Sequence, residues 1–397
     1  MASMKDHIAS VVEGLREELL TLSHKIHENP ELGWQEHKAA RWQKELLEKY
    51  GFAVEIPFCG METAFRAAAP YNSPNGVRIA LLSEYDALDG VGHACGHNII
   101  AAGAVGAAIA LSETMKSGGI PGEVFVFGTP AEETAGGKIP MADSGVFDGF
   151  TCALMIHPAT QNLIARHGLA AQQVEAEFFG RAAHSSSPSD GINALTSLRA
   201  LFHGIDSLSQ TWTNESKING IITAGGTASN VIPEYARASF LVRAGKKKTL
   251  LKIFDDLDRM ARSAALLTGA EYKLTGAAIY AERYPNLALG EAFKANMEPL
   301  GVTMNYPDYT AQVGSSDIGN VSLVVPAIHE YLAIAEPGEV VAHHESFRRA
   351  AASPRGDEAV ILAAKGLAMT ALDVLTDGDL RARIDREFNE KVRPNQC

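Results

Sequence analysis

At 397 residues the chain is longer than one ordinary hydrophobic core organises, so two domains are expected. Its 46% hydrophobic and 21% charged residues fit a globular enzyme, and a net charge of −12 argues against a nucleic-acid partner held through phosphate neutralisation. No apolar run reads as a membrane span, no signal-like stretch opens the chain, and four scattered cysteines (Cys59, Cys95, Cys152, Cys397) do not form a disulfide framework. A cytoplasmic protein without a membrane partner is therefore expected.

The first ~115 residues alternate helical and strand patterns. Residues 5–24 are amphipathic, the polar segment around His27–Glu31 follows, and a second helix is expected over 34–50, ending near Gly51. Val77–Ser83 reads as a short buried strand and Asn98–Met115 as an Ala/Gly-rich helix whose small residues let it lie close to a sheet. Glu123–Gly128 and Cys152–His157 are further buried strands. Strands alternating with helices imply an α/β domain with a mostly parallel mixed sheet flanked by helices. After Gly168 the texture changes. Gln172–Phe179, Gly220–Thr223, Ala236–Arg243 and Glu271–Ala281 read as strands, with helices over Asn193–Leu208 and Lys246–Leu267. This mixed order predicts an inserted α+β domain over residues 171–284, with 1–170 and 285–397 forming the domain it interrupts. In the last third, a helix over 290–299, strands near Val321–Val325 and Ala327–Leu332, a long helix over 356–375 and a solvated terminal helix over 377–393 are expected.

Three clusters of metal-ligand type stand where strands stop. His93-Ala94-Cys95-Gly96-His97 follows Glu84-Tyr85-Asp86, Glu132-Glu133 follows the Glu123–Gly128 strand, and His157 closes the next strand ahead of Pro158. The carboxyl ends of strands in an open α/β sheet form the crevice where ligands collect, so these side chains can converge. Imidazole, thiolate and carboxylate all suit a divalent cation of the zinc or manganese kind, and a thiolate can bridge two. Of two adjacent carboxylates, one can bind metal while the other serves as a base. Each cluster alone has a blander reading: His157 a structural histidine, Glu132-Glu133 a solvated loop, Cys95 with His97 a redox thiol, a structural metal site or a cysteine nucleophile. Their joint occurrence at three strand ends favours a metal centre.

These residues resemble subfamily D of the M20 metallo-amidohydrolases and peptidases over about residues 20–390. The resemblance rests on His27-Glu28-Asn29-Pro30-Glu31-Leu32 with Glu36, the His93–His97 motif, Pro130-Ala131-Glu132-Glu133, Ala183-His184-Ser185, Asn230-Val231-Ile232-Pro233 and His343. Gly314–Val321 and the short spacing from Asp86 to His93 resemble the subgroup of aminobenzoyl-glutamate hydrolases and related small dipeptidases. Asn98 stands where many of the subfamily carry Asp. The resemblance implies a zinc-peptidase-like catalytic domain with an inserted lid and dimerisation domain. It implies two divalent ions, Zn or Mn with Co or Ni as further options, bound by Cys95, His97, Glu133, His157 and His343 with Cys95 bridging; the neighbouring His344 competes for the last position. Glu132 would be the general base, and Asp86 would orient a ligand. His184 would stabilise the oxyanion in the partner subunit of a homodimer or larger homo-oligomer, and Asn230 and Arg243 would hold the carboxylate of a small-molecule substrate. His93 is expected to hydrogen-bond locally, and His24, His37, His167, His203 and His329 to be structural.

The implied activity is hydrolysis of an amide bond in a small dipeptide or an N-acyl or N-aroyl amino acid by metal-activated water. The rivals are hydrolytic deamination of an anthranilate-like aromatic amine at the same centre, a non-catalytic binding paralogue, and a cysteine hydrolase using Cys95; fold alone does not choose among them.

Overall fold

The computed structural model describes residues 2–74, 76–213, 215–309 and 313–395, so Cys397 lies outside the described residues. The chain divides into two compact units: unit one is residues 1–167, 283–312 and 316–397, and unit two is residues 168–282 and 313–315.

Unit one begins with helices α1 (Ala2–Gly14), α2 (Arg16–Glu28) and α3 (His37–Lys49), then strands β1 (Ala53–Glu55), β2 (Phe65–Ala68) and β3 (Arg78–Ser83). Helix α4 (His97–Gly118), strand β4 (Glu123–Gly128), helix α5 (Lys138–Asp143) and strand β5 (Cys152–Ala159) follow. Unit two contributes β6 (Ala170–Phe179), α6 (Ala194–Leu208), β7 (Lys217–Ala224), β8 (Tyr235–Ala244), α7 (Lys247–Thr268) and β9 (Glu271–Gly276). Unit one then resumes with α8 (Leu287–Met297), α9 (Ile318–Val324), β10 (Ala327–Ala333), α10 (Glu345–Ala351), α11 (Pro354–Thr376) and α12 (Gly378–Lys391).

The sheet of unit one runs β1-β2-β4-β3-β5-β10. The four strands β4, β3, β5 and β10 are parallel, so their carboxyl ends open on one side, while β1 and β2 add an antiparallel edge that hydrophobic patterning did not announce. Strand β5 runs past His157 through Pro158, beyond the end expected from the sequence. The ladder tolerates this proline because β3 pairs with β5 only as far as Leu154, and beyond that point one side of β5 is open. Unit two is an antiparallel sheet, β7-β8-β6-β9, with its own core built from α6, α7 and the inward faces of β6 and β8.

Helix α4 is buried nearly all round and packs on α11. Small residues permit that approach: a Cβ at Gly103 would stand 2.8 Å from the Ala363 Cβ. Its buried Ile99, Ile100, Val105, Ile109 and Leu111 each contribute ~1.5–3 kcal/mol on withdrawal from water. Both α4 and α11 are long and apolar enough to cross a membrane, contrary to the sequence expectation. With 94% and 83% of their apolar windows buried inside unit one, they are core helices.

Three local expectations fail. The strand expected over Glu271–Ala281 stops at Gly276. The amphipathic run over 5–24 is two helices that break at Leu15, and Val321–Val325 is not a strand but the end of α9. A five-residue, mostly apolar run is too short for periodicity to separate helix from strand, and Pro326 stands between α9 and β10.

Candidate metal centre

Each strand end delivers part of the site. Past β3 the chain carries Glu84 and Asp86 and turns through Gly96 into α4, whose first residue is His97. Gly96 has φ 77, and a Cβ there would stand 2.6 Å from the Pro158 ring, so both conformation and space require glycine. Past β4, Ala131 takes φ 61, a left-handed value rare for a residue with a Cβ, and so aims Glu132 and Glu133. That turn is tied down from outside: Glu36 accepts the Ala131 N–H at 2.8 Å and the Thr63 hydroxyl at 2.8 Å, while Asp86 accepts the Glu133 N–H at 2.9 Å. The rest of the N-terminal motif is also support. Glu31 caps the first turn of α3 at Lys38 and Ala39, and His27 Nε2 donates to the Arg348 carbonyl at 2.8 Å. His343 comes from the loop ahead of α10 with φ 62, its N–H bonded to the Ala94 carbonyl at 3.0 Å.

The structure brings all five expected ligands together. The donor atoms of Cys95, His97 and His157 lie within 4.8 Å of one another, and so do those of Cys95, Glu133 and His343. Cys95 belongs to both groups. His344 is engaged elsewhere: its Nδ1 caps α10 by accepting the Ser346 N–H. Asn98 points its amide to Ser23 and the Ala351 carbonyl, tying α4 to its neighbours.

The ring orientations suit metal binding. His157 Nδ1 lies 2.7 Å from the Pro158 carbonyl, which can only accept, so Nδ1 carries the proton and Nε2 offers its lone pair 3.4 Å from Cys95 Sγ. His97 Nδ1 likewise donates to the Asp86 carbonyl and carboxylate, at 2.9 and 3.0 Å. Its Nε2 then faces Glu84 Oε2 at 3.5 Å and Glu133 Oε1 at 3.8 Å, and the latter oxygen is 3.6 Å from His343 Nε2. These buried atoms of His97, Glu84 and Glu133 have no hydrogen-bond partner among the described residues. A lone pair facing carboxylate oxygens in a dry site repels them unless a proton or a cation intervenes. The donor set therefore fits a divalent cation.

The charges in the site carry the same signature. Burial alone would lower His97, but Asp86 outweighs it and holds the imidazole well above its ordinary range, so it attracts positive charge. Burial, then the charge of His97, lowers His157 to about 4 and keeps it neutral. Burial, then the Glu133 carboxylate, pushes the Cys95 thiol well up. These protein groups do not supply the depressed pKa a cysteine nucleophile needs. Burial and the charges of Glu84, Glu133 and Asp317 likewise push Glu132 well above the usual carboxylate range.

Sequence reasoning missed the residues behind Glu132. Lys138, fully buried, binds Glu84 at 2.5 Å and Asp317 at 2.7 Å, and Asp317 also accepts the Lys138 N–H at 3.0 Å. Burial alone would lower the ammonium, but Asp317, Glu84 and Glu132 keep it charged. The only signal for this trio was Asp317 within Gly314–Val321. His93 is buried beside the Ile26 backbone, and it stacks 6.3 Å from His27. Burial lowers it to about 3. His329 is buried too. Arg283 can only donate, so His329 Nδ1 accepts, the ring proton sits on Nε2, and the ring meets His157 edge-on at 5.3 Å.

In unit two, His184 and Asn230 lie on adjacent segments. His184 bridges Val231, and the Ser185 N–H donates to the Asn230 carbonyl at 2.9 Å. His184 Nδ1 accepts the Ser186 N–H, so the exposed ring presents Nε2–H as a donor. Arg243 is not brought to them. It stands near the far end of β8 from Tyr235, eight residues along, roughly 26 Å at ~3.3 Å per residue. Its buried Nε has no partner among the described residues.

Comparison with known proteins agrees with this geometry. Residues 77–365 match the family described as Peptidase family M20/M25/M40. The chain is 35% identical to the Xaa-Arg dipeptidase of Homo sapiens, over 99% of this chain and 94% of that protein. It is 32% identical to one subunit of the p-aminobenzoyl-glutamate hydrolase of Escherichia coli K12, over 66% of this chain and 58% of that protein. In fold it is similar to a dinuclear metal-binding M20 peptidase of Bacillus subtilis, with TM-score 0.68 and 20% identity, covering 91% of this chain and 99% of that one. With donor groups gathered at the strand ends, an amide-hydrolase relative along almost its whole length and a family match over most of the chain, this protein belongs to the M20/M25/M40 peptidase family and is a metal-dependent amide hydrolase.

Proposed function

We propose that this chain hydrolyses the amide bond of a small dipeptide or an N-acyl or N-aroyl amino acid, in the cytoplasm, at two divalent cations of zinc or manganese. Cys95, His97 and His157 would hold one cation, and Cys95, Glu133 and His343 the other. The observation that carries this reading is the pair of three-donor groups sharing one sulfur, with Glu132 beside both but outside them. The dipeptidase and aminobenzoyl-glutamate hydrolase names of the relatives support a small amide with a carboxylate as substrate.

Two bound cations would acidify a water molecule and polarise the scissile carbonyl. Glu132 accepts the proton released as water attacks and returns it to the leaving amine. Its seclusion among Glu84, Glu133 and Asp317 makes it readily protonated, which suits the second half of that shuttle. Asp86 fixes the His97 ring and the Glu133 backbone together. His184, presenting Nε2–H, and the neighbouring Asn230 would serve the oxyanion and substrate of a second copy in a homodimer.

Metal analysis and a panel of dipeptides and N-acyl amino acids test the proposal on wild type and Glu132→Gln. The variant should keep its metal and lose at least about a thousandfold in kcat, within the range spanned by general-base and charge-stabilising contributions. Near-normal turnover would remove Glu132 from the role, and a metal-free wild type without chelator sensitivity would remove the centre.

A further inference from the structure

Among the described residues, two guanidinium groups of unit one have no ion-paired counter-ion. Arg283 is buried, and its N–H groups are spent on the Arg166 carbonyl at 2.9 Å, the His167 carbonyl at 3.0 Å and His329. Arg166 lies with its guanidinium carbon 4.9 Å from the Tyr331 ring centre, and Arg283 approaches the same ring at 5.6 Å. Neither arginine is ion-paired to Asp or Glu among the described residues. The nearby carboxyl that answers to Arg283, Glu330, is pushed up to about 8 by burial and accepts the Ala165 N–H at 3.0 Å, so at neutral pH it adds no compensating charge.

The position of Arg166 is imposed rather than incidental. Ala165 adopts φ 56, a left-handed value held by the Glu330 bond on one side and by Arg283 on the other. The Tyr331 ring under Arg166 is 5.7 Å from the His157 ring, so the guanidinium is two contacts from a proposed metal ligand, a separation that one dipeptide spans. Every Arg283 donor used goes to a neutral acceptor, whereas the half-buried Arg166 side chain makes no hydrogen bond within the described residues and keeps its fork available. A planar fork held over an aromatic face is shaped for bidentate contact with a carboxylate.

We propose that Arg166, stacked on Tyr331 beside His157 and backed by Arg283, is the specificity-determining residue that grips the substrate's carboxylate from within the catalytic unit. This rests on the amide-hydrolase reading above. It differs from the sequence expectation, which placed that contact on Asn230 and Arg243 of unit two. Two guanidinium groups without counter-ions raise the local potential, Arg166 supplies the directional hydrogen bonds, and Tyr331 holds its plane.

The test compares hippurate and alanyl-glycine with their carboxamide analogues on the metal-loaded protein, wild type and Arg166→Met, which keeps the stacking length without charge. Turnover gives KM and kcat, and calorimetric binding in a Glu132→Gln background gives a second readout free of turnover. Loss of a charge-assisted pair should weaken the carboxylates roughly tenfold to a hundredfold in Kd and KM, leave kcat within about threefold, and leave the carboxamides unchanged. Arg166→Lys should recover part of the loss. Equal effects on acids and amides, no effect on either, or no measurable carboxylate binding by unsubstituted protein overturns the assignment. If wild type binds the acids through Arg166 but cleaves no amide, the carboxylate site stands and the amide-hydrolase reading falls. If it cleaves them regardless of Arg166, the reverse holds.

Discussion

Replacing Lys138 with Met probes the buried charge behind the proposed base. The side chain is fully buried, between Glu84 at 2.5 Å and Asp317 at 2.7 Å, both equally buried, so Met fills similar volume while stranding two carboxyl groups. Removing one partner of a buried pair costs about 3–5 kcal/mol, because the remaining charge keeps its desolvation penalty. At about 2 °C per kcal/mol for a unit of this size, the melting temperature at pH 7.5 should fall by roughly 6–10 °C. Asp317 already has its carboxyl raised by burial despite the ammonium; without Lys138 it takes up a proton more readily, so the deficit should shrink as the pH is lowered towards 5. Adding Glu84→Gln to Lys138→Met removes one stranded charge and should recover part of the loss, giving a coupling energy between the two positions. Thermal unfolding followed by circular dichroism on both variants measures this. A shift under about 2 °C at pH 7.5, or a deficit that grows on acidification, would refute the reasoning.

Asp86→Ala frees the His97 ring and the Glu133 N–H together; metal affinity, titrated by competition with a chelator, should fall about 10- to 100-fold, with the fold retained. Unchanged affinity would mean that the backbone carbonyl alone orients His97. Glu36 is raised by burial from 4.5 to about 7, so its stabilising influence is complete below the lower value and is lost as the pH climbs through the upper one. Stability should therefore decline between those values by at most about 3 kcal/mol on account of this group. In Glu36→Gln that part of the slope should vanish in urea titrations at several pH values; an identical slope in both proteins removes Glu36 as its source.

Much of the site could be read in the chain because parallel strands deliver their carboxyl ends to one side, and His97, Glu132-Glu133 and His157 each follow a recognisable apolar run. What could not be read is how charges pair across distance. Lys138 follows two glycines and looks like a loop residue, and no periodicity links it to Glu84 or to Asp317, 179 positions further along. The same holds for Glu36, whose carboxyl reaches 95 positions ahead to steady Ala131. The short antiparallel strands β1 and β2 escaped because three or four residues carry little pattern. Arg166 was passed over for another reason: its meaning lies in what it lacks, an acidic neighbour, and only coordinates show that.

Unit one is written in separate pieces of the polypeptide, with the whole of unit two in between. Helix α4 therefore emerges from synthesis long before α11, the helix that covers its apolar back, and His343 reaches Ala94 only after some 250 further residues have been made. Contacts so far apart in sequence close late, because the entropy of the intervening loop must first be overcome. Truncated products should consequently expose α4, bind chaperones or aggregate, and hold metal poorly, since His343, the last proposed donor, arrives with about the final seventh of the chain.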